Sequence, residues 1–325
     1  MTIEKFHQAI HQTTSPLPGS IPQPIIYTLS VKQKFDGLTI IDFYCQAIPS
    51  IPKEQWIEKV ETGNMTVNGE TITLDYIVKT GDKTKHATKP IAEPHVSADI
   101  QLIYDDEDFL ILNKPAPLPM HPCGRFSKNS LVEILQLAFP QSDYKIVHRI
   151  DSNTTGLVVL AKSKETAQFI AAQFEQQTIQ KYYLALVEGI IETDEFTSTQ
   201  TIGKEKTKSG GRKTNDTGDK AITEFEVLER RDKHTLLKVT PHSGRTNQIR
   251  LHLAAINHPI VGDYGYKDPS YFETHPLTYK EDCLCLHAWK LSFIHPKTNK
   301  EISFEAPIPE KFHLKKNILK KTPPL

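Results

Sequence analysis

His148-Arg149-Ile150-Asp151-Ser152-Asn153-Thr154-Thr155-Gly156-Leu157-Val158-Val159-Leu160-Ala161-Lys162 is the stretch on which the reading of this chain turns. Its pattern predicts a short strand over 145–150, a polar loop over 151–156 and an apolar strand over 157–161. Such a loop holds the Asp151 carboxylate at the end of a strand, exposed on rigid scaffolding, which is where a nucleophile belongs. Taken alone, Asp151-Ser152-Asn153 reads first as a turn in which the aspartate caps the backbone.

Strand and helix signals continue on both sides. Residues 101–104 and 109–112 are apolar segments flanking the acidic Asp105 to Asp108, as in a hairpin closed by Asn113-Lys114-Pro115. Leu131, Ile134, Leu135 and Ala138 stand at helical spacing. Ser163 is a good N-cap for a helix that presents Ala167, Ile170, Ala171 and Phe174. Alternating Tyr183, Ala185 and Val187 predict a strand, as do residues 221–228 and 235–240, and a helix follows over 246–256. Without regular β-α alternation, this half is expected to be α+β, a mixed and largely antiparallel sheet, over residues 93–325.

The first 30 residues, rich in Gln, Ser, Thr and Pro with no apolar period, read as an N-terminal arm. Residues 31–92 form a compact unit. Leu38, Ile41 and Cys45 suggest one helix, Trp56, Ile57 and Val60 a second that Gly63 ends, and Asn68-Gly69 the tight turn of a hairpin over 65–72. This order resembles a small S4-like α/β RNA-binding module, with Lys53 and Lys59 where the module carries more arginine on its second helix. Weak RNA binding and a purely structural appendage are both compatible with that composition.

The 325 residues carry 38% apolar and 24% charged residues, enough for a sizeable core and, on length, two domains. No apolar run approaches the roughly 18 residues of a bilayer span, and the first 15 residues are polar, so a cytoplasmic protein without a membrane partner is expected. Cys45, Cys123, Cys283 and Cys285 show no framework spacing and read as free thiols rather than metal ligands. The formal net charge is zero. Local runs depart from it: Lys204, Lys206, Lys208, Arg212 and Lys213 cluster in a Gly-rich stretch, and Lys311 to Lys321 contains five lysines and no acid. Such runs are most often solvated loops and tails, yet they can neutralise phosphates.

Four ordered segments change the weight given to Asp151. His148 to Leu157 resembles the His-Arg-Leu-Asp-x-x-Thr-Ser-Gly-Leu signature of the RluA-like RNA pseudouridine synthases. Lys181-Tyr182-Tyr183-Leu184-Ala185-Leu186-Val187-Glu188-Gly189 resembles that family's Lys-x-Tyr-x-Ala-x-Val-x-Gly strand. Gly244-Arg245-Thr246-Asn247-Gln248-Ile249-Arg250-Leu251-His252-Leu253 resembles Gly-Arg-Thr-His-Gln-Ile-Arg-x-His-Leu, continued by His258-Pro259-Ile260-Val261-Gly262-Asp263 and by Leu286-His287-Ala288. Asn247 departs from the histidine usual there, and a structural or RNA-facing role is expected for it.

The resemblance implies an isomerase that needs no cofactor and no metal, acting on uridines of tRNA or rRNA; nothing in the sequence reads out an oligomeric state, and a monomer is the default expectation. It assigns Asp151 as nucleophile, Arg250 as its partner, and Tyr183 as the ring that stacks on the uracil and a possible general base. Ile249 is placed against the other side of the base. Arg149 fills the space opened by a flipped nucleotide, and Arg245, Asn247 and Gln248 bind substrate. Lys53, Lys59 and the basic loop are possible RNA contacts. Two other classes compete: an RNA-binding protein with a disabled site, and a metal-dependent hydrolase using His148, Asp151, Asp263 and some of His252, His258 and His287. Intact Asp151, Tyr183 and Arg250 argue against the first, and the lack of metal-ligand spacing argues against the second.

Overall fold

A computed structural model describes residues 1–203, 218–267 and 284–313. The chain opens with helix α1 (Ile3–Thr14), where Thr2 accepts a hydrogen bond from the Lys5 amide as N-cap. This corrects the expected arm. Phe6 and Ile10, four residues apart, share one face of the helix and are buried, with Phe6 stacked on Phe139 at a centroid distance of 5.3 Å. Two anchors are too few to register as a period in a polar stretch, yet they suffice to dock a helix. Accordingly the two compact units are 19–93 on one hand, and 1–18 with 94–325 on the other.

The 19–93 unit contains β1 (Ile26–Ser30), α2 (Ile40–Ala47), α3 (Lys53–Glu61), β2 (Met65–Val67), β3 (Glu70–Thr71) and β4 (Lys83–Ala87). Its antiparallel sheet runs β1-β4-β2-β3. Asn68 and Gly69 take φ of 53° and 93°, as the two-residue turn between β2 and β3 requires. Tyr44 and Trp56 stack at 4.4 Å inside a core that includes Phe43, Val60 and Met65. The Tyr44 hydroxyl meets Thr84 Oγ1 at 2.8 Å, so the helices cover the sheet face that carries Thr84 and His86.

The larger unit is built from β5 (Gln101–Asp105), β6 (Phe109–Lys114), α4 (Leu131–Ala138), β7 (Lys145–Ile146), β8 (Thr155–Ala161), α5 (Lys164–Glu175) and β9 (Gln180–Glu188). There follow β10 (Glu195–Ser198), β11 (Thr223–Arg230), β12 (His234–Pro241), α6 (Gln248–Ala255), α7 (Tyr264–Lys267), β13 (Leu286–Ile294) and β14 (Glu301–Glu305). The sheet order is β10-β11-β12-β9-β13-β8-β6-β5, with β14 on β13 and β7 on β8. Among the described pairings, β13 with β8 is parallel and the others are antiparallel. The fold is thus α+β with a large, mostly antiparallel sheet. Apolar residues of β6, β8 and α4 form one core, and those of β9, β12 and α6 another.

The strand expected over 145–150 is shorter, ending at Ile146. The reason is His148: its Nε2 accepts the Val159 amide of β8 at 3.0 Å, while its ring stacks on Phe174 at 4.4 Å. A side chain therefore occupies a ladder position, and the backbone leading to Asp151 leaves the sheet.

Gly156 sits where β8 passes β13. Its φ is +113°, and an added Cβ would stand 2.2 Å from the Ala288 carbonyl oxygen. Backbone cannot yield there as a flexible side chain would. Gly156→Ala is expected to separate the parallel pair and lower thermal stability by several kcal/mol, about the size of the largest single-substitution effects. Unchanged melting by calorimetry would contradict this close approach.

Candidate active site

Asp151 lies in the turn between β7 and β8, with its side chain 33% exposed. The buried Lys114 side chain and two backbone hydrogen bonds hold this turn. The Lys114 ammonium, at the end of β6, donates to the carbonyls of Pro115, Leu118 and Ser152 at 2.8, 2.9 and 3.1 Å. The Leu118 amide donates to the Ser152 carbonyl at 2.9 Å, and the Thr154 amide to that of Asp151 at 3.1 Å. The Asp-Ser-Asn run is therefore a turn, and a fixed one.

Helix α6 brings Arg250 to this turn. Its Nη1 donates to Asp151 Oδ2 at 3.2 Å, and its Nε and Nη2 donate to the two oxygens of Asp263 at 2.7 and 2.8 Å. Burial opposes the guanidinium charge, but the hydrogen bonds and charge of Asp263, then the charge of Asp151, outweigh it and hold Arg250 above the ordinary arginine value. The side chain of Asp263 is 1% exposed, so its carboxylate depends on this bidentate pairing. The Tyr266 ring lies 4.8 Å from the guanidinium carbon and covers the fork.

Asn247 precedes α6 in a left-handed conformation with φ 57°. Its Oδ1 accepts from Arg250 Nη1 at 3.1 Å and its Nδ2 donates to the Tyr266 hydroxyl at 2.9 Å. Its contacts are thus with the protein groups that orient Arg250. The left-handed turn also explains why α6 starts at Gln248 rather than at residue 246.

Tyr183 lies on β9, paired with Val239 of β12 and Ala288 of β13. Burial, and next the charge of Asp151, push its phenol well above the usual tyrosine range. Ile249 is buried, 7% exposed, in the core shared by β9 and α6. Arg149 is exposed beside His121 and Cys123, whose ionisation its charge influences. Arg245 is half exposed, 3.5 Å from Asp219.

Gln248 does not fit the substrate-binding role expected of it. Its Oε1 accepts from Ser243 Oγ at 2.7 Å and the Arg245 amide at 3.0 Å, while its Nε2 donates to the Ile222 carbonyl and Thr223 Oγ1 at 3.0 and 2.9 Å. A buried amide with all these bonds made has none left for RNA; it fixes the loop before α6. Lys59 likewise turns inward, donating to the Ala87 carbonyl. Lys53 opens α3 and is exposed. Lys204, Lys206, Lys208, Arg212 and Lys213, like Cys283 and the lysine tail beyond His313, lie outside the described residues.

The histidines do not converge. His252 bonds Thr223 and the Gln200 carbonyl, His258 the Glu188 carbonyl, and His287 Thr155 Oγ1 at 2.8 Å. Among the described residues, ligand atoms gather closely only at Asp106, Asp108 and His295, away from Asp151, and there His295 Nε2 already meets Asp106 at 3.0 Å. Cys45 and Cys123 are free thiols. No described helix is long and apolar enough to cross a membrane.

Sequence reading missed the parts played by Asp263 and Tyr266. Both follow the His258-Pro259 segment, and Gly262-Asp263 was visible as a motif without an assigned partner. What identifies them is the bidentate geometry, which only the folded chain supplies.

The large, mostly antiparallel sheet is that of solved pseudouridylate synthase domains. The family model described as RNA pseudouridylate synthase matches residues 108–255. RNA pseudouridine synthase 5 of Oryza sativa subsp. japonica is 33% identical, with 83% of this chain and 83% of that protein covered. Ribosomal large subunit pseudouridine synthase C of Vibrio cholerae is 29% identical, covering 86% of this chain and 92% of its own. The match to RNA pseudouridine synthase 7 of Arabidopsis thaliana, 30% identical, covers 75% of this chain and 63% of that relative's length. The solved structure of human RNA Pseudouridylate Synthase Domain Containing 1 superposes with a TM-score of 0.55 at 26% identity, over 67% of this chain and 86% of that one. The chain belongs to the RluA-like RNA pseudouridine synthase family, isomerases that act on RNA.

Proposed function

We propose that this protein converts uridine to pseudouridine in ribosomal RNA, using Asp151 as the reacting carboxylate on a nucleotide turned out of its helix. The single observation that carries the reading is the 3.2 Å ion pair between Asp151 and Arg250, itself clamped by Asp263. The reaction breaks N1–C1′, with the bonding electrons leaving on uracil, and forms C5–C1′ after the base has turned. The C5 proton is then released and N1 gains one, so nothing is added overall. Asp151 near C1′ serves either by attaching to the sugar or by assisting elimination through a glycal; both routes require an ionised, oriented carboxylate.

Arg250 orients that carboxylate without competing as an acid. Tyr183, kept as a neutral phenol by its surroundings, presents a ring for the flipped uracil, and Ile249 backs the pocket from the core. Arg149, exposed two residues before Asp151, takes the place of the flipped base in the stack in this reading. The ribosomal preference follows the name of the Vibrio cholerae relative, a ribosomal large subunit pseudouridine synthase; transfer RNA is the alternative substrate. We further read 19–93 as an S4-like RNA-binding unit.

Tritium release from transcripts labelled at uracil C5, with EDTA present, tests the reading. Release from large-subunit ribosomal RNA, insensitive to the chelator, is expected; release from transfer RNA alone would overturn the substrate, and no release from any RNA would overturn the reaction. Tyr183→Phe should lower the single-turnover rate by about tenfold or more while RNA affinity stays within about twofold, because the phenol is near enough to Asp151 to feel its charge. An affinity loss with a normal rate would remove Tyr183 from this role.

A further inference from the structure

The 19–93 unit leaves one sheet face open. Residues opposite one another across a ladder point the same way, so Thr28, Lys85, Thr66 and Thr71 form one row, and Ser30 and Lys83 the next. Burial fixes the direction: Lys83 and Lys85 are exposed, while Thr84 and His86, which alternate with them, are buried beneath the helices. Neither ammonium has a side-chain partner among the described residues. By contrast, Lys59 is bonded to the Ala87 carbonyl and Lys89 lies 3.1 Å from Glu58.

The carboxylates of the unit are directed elsewhere. Asp82 accepts from Asn68, Tyr76 and the Lys79 amide, Asp36 from Thr80, Asp42 from Thr39 and Asp75 from Thr73. Glu54, Glu58 and Glu61 belong to α3, and Glu93, at the end of the unit and outside its strands, is buried. Glu70 pairs with Val67, and so points to the side opposite Lys83 and Lys85. Although acids and lysines nearly balance along this segment, the two rows hold two cations and four hydroxyls and no carboxylate, with Ile26 and Ala87 in the row beyond them on the same face.

We propose that this face docks the phosphodiester backbone of the substrate RNA, Lys83 and Lys85 neutralising phosphates and Thr28, Ser30 and Thr66 donating hydrogen bonds. It rests on the reading of the chain as an enzyme of RNA. The helix lysines at which sequence reasoning pointed are secondary. No aromatic ring stands on the face to stack a base, so the contact is with backbone and independent of sequence.

The test measures affinity of the full chain for a fluorescein-labelled RNA hairpin of arbitrary sequence, about 20 nucleotides long, over a series of KCl concentrations. Losing two phosphate contacts should weaken binding by Lys83→Ala/Lys85→Ala and reduce the slope of log K against log[KCl] by about 1.5 to 2. Thr28→Glu, which removes no lysine, should weaken binding as well. Lys53→Ala, on α3, should leave both quantities unchanged. An unaltered slope in the double variant, or an equal loss in Lys53→Ala, would overturn the proposal. Circular dichroism and the melting temperature of each variant should match those of the unsubstituted protein, which separates a lost contact from a lost fold. If the unsubstituted protein releases no tritium yet binds through this face, the function proposed above fails and the docking surface stands.

Discussion

Asp151→Asn is expected to abolish pseudouridine formation while leaving the fold and RNA binding in place. The turn that holds the residue is built from backbone groups and Lys114, with bonds through the carbonyls of Pro115, Leu118, Asp151 and Ser152, none of which uses the Asp151 side chain. An amide is nearly isosteric, and its oxygen can still accept from Arg250. What disappears is the negative charge that must meet C1′. Loss of a nucleophile costs up to about 10⁶ in rate where it has been measured, so a fall of roughly 10³ or more is the minimum consistent with the assignment. Turnover within tenfold of the unsubstituted enzyme, read by tritium release, would remove Asp151 from the reaction.

Arg250→Met should be damaging twice over, and the two effects can be separated. The first is chemical, because Asp151 loses the donor at 3.2 Å that fixes its rotamer. The second is structural, because Asp263, 1% exposed, is left as a buried carboxylate without the guanidinium that met both of its oxygens. Breaking a buried pair from one side costs about 3–5 kcal/mol, whereas replacing both partners by apolar groups is often close to neutral. Arg250→Met/Asp263→Leu should therefore recover much of the melting temperature lost by Arg250→Met and none of the activity. Recovery of activity in the double variant would show that the arginine serves only to neutralise Asp263.

The larger sheet was legible because its central strands carry continuous or alternating apolar runs, as at Leu157 to Ala161 and Tyr183 to Val187. Asp151, Tyr183 and Arg250 were legible only through segments read together, since an aspartate in a polar turn or a tyrosine on a strand has an ordinary explanation by itself. Helix α1 escaped because two buried side chains do not make a period. The end of β7 escaped because a histidine ring took over a backbone bond, and Gln248 because a motif position does not reveal that its amide is already saturated. Asp263 and Tyr266 needed the third dimension: their relation to Arg250 spans a turn and a helix, and no spacing rule encodes a bidentate clamp.

The order in which the chain leaves the ribosome gives α1 a particular history. Its docking partner Phe139 comes more than a hundred residues after Phe6, and the 19–93 unit is made in between. At about 5–20 residues per second, the apolar side of α1 waits on the order of ten seconds before the helix it packs beside exists. The intervening unit shortens the search that follows, for its own ends meet: the Glu93 amide donates to the Gly19 carbonyl at 2.8 Å. Once folded, it converts a loop of some seventy-five residues into a closed stem, so the entropy of closure that would otherwise oppose the return of α1 has largely been met beforehand.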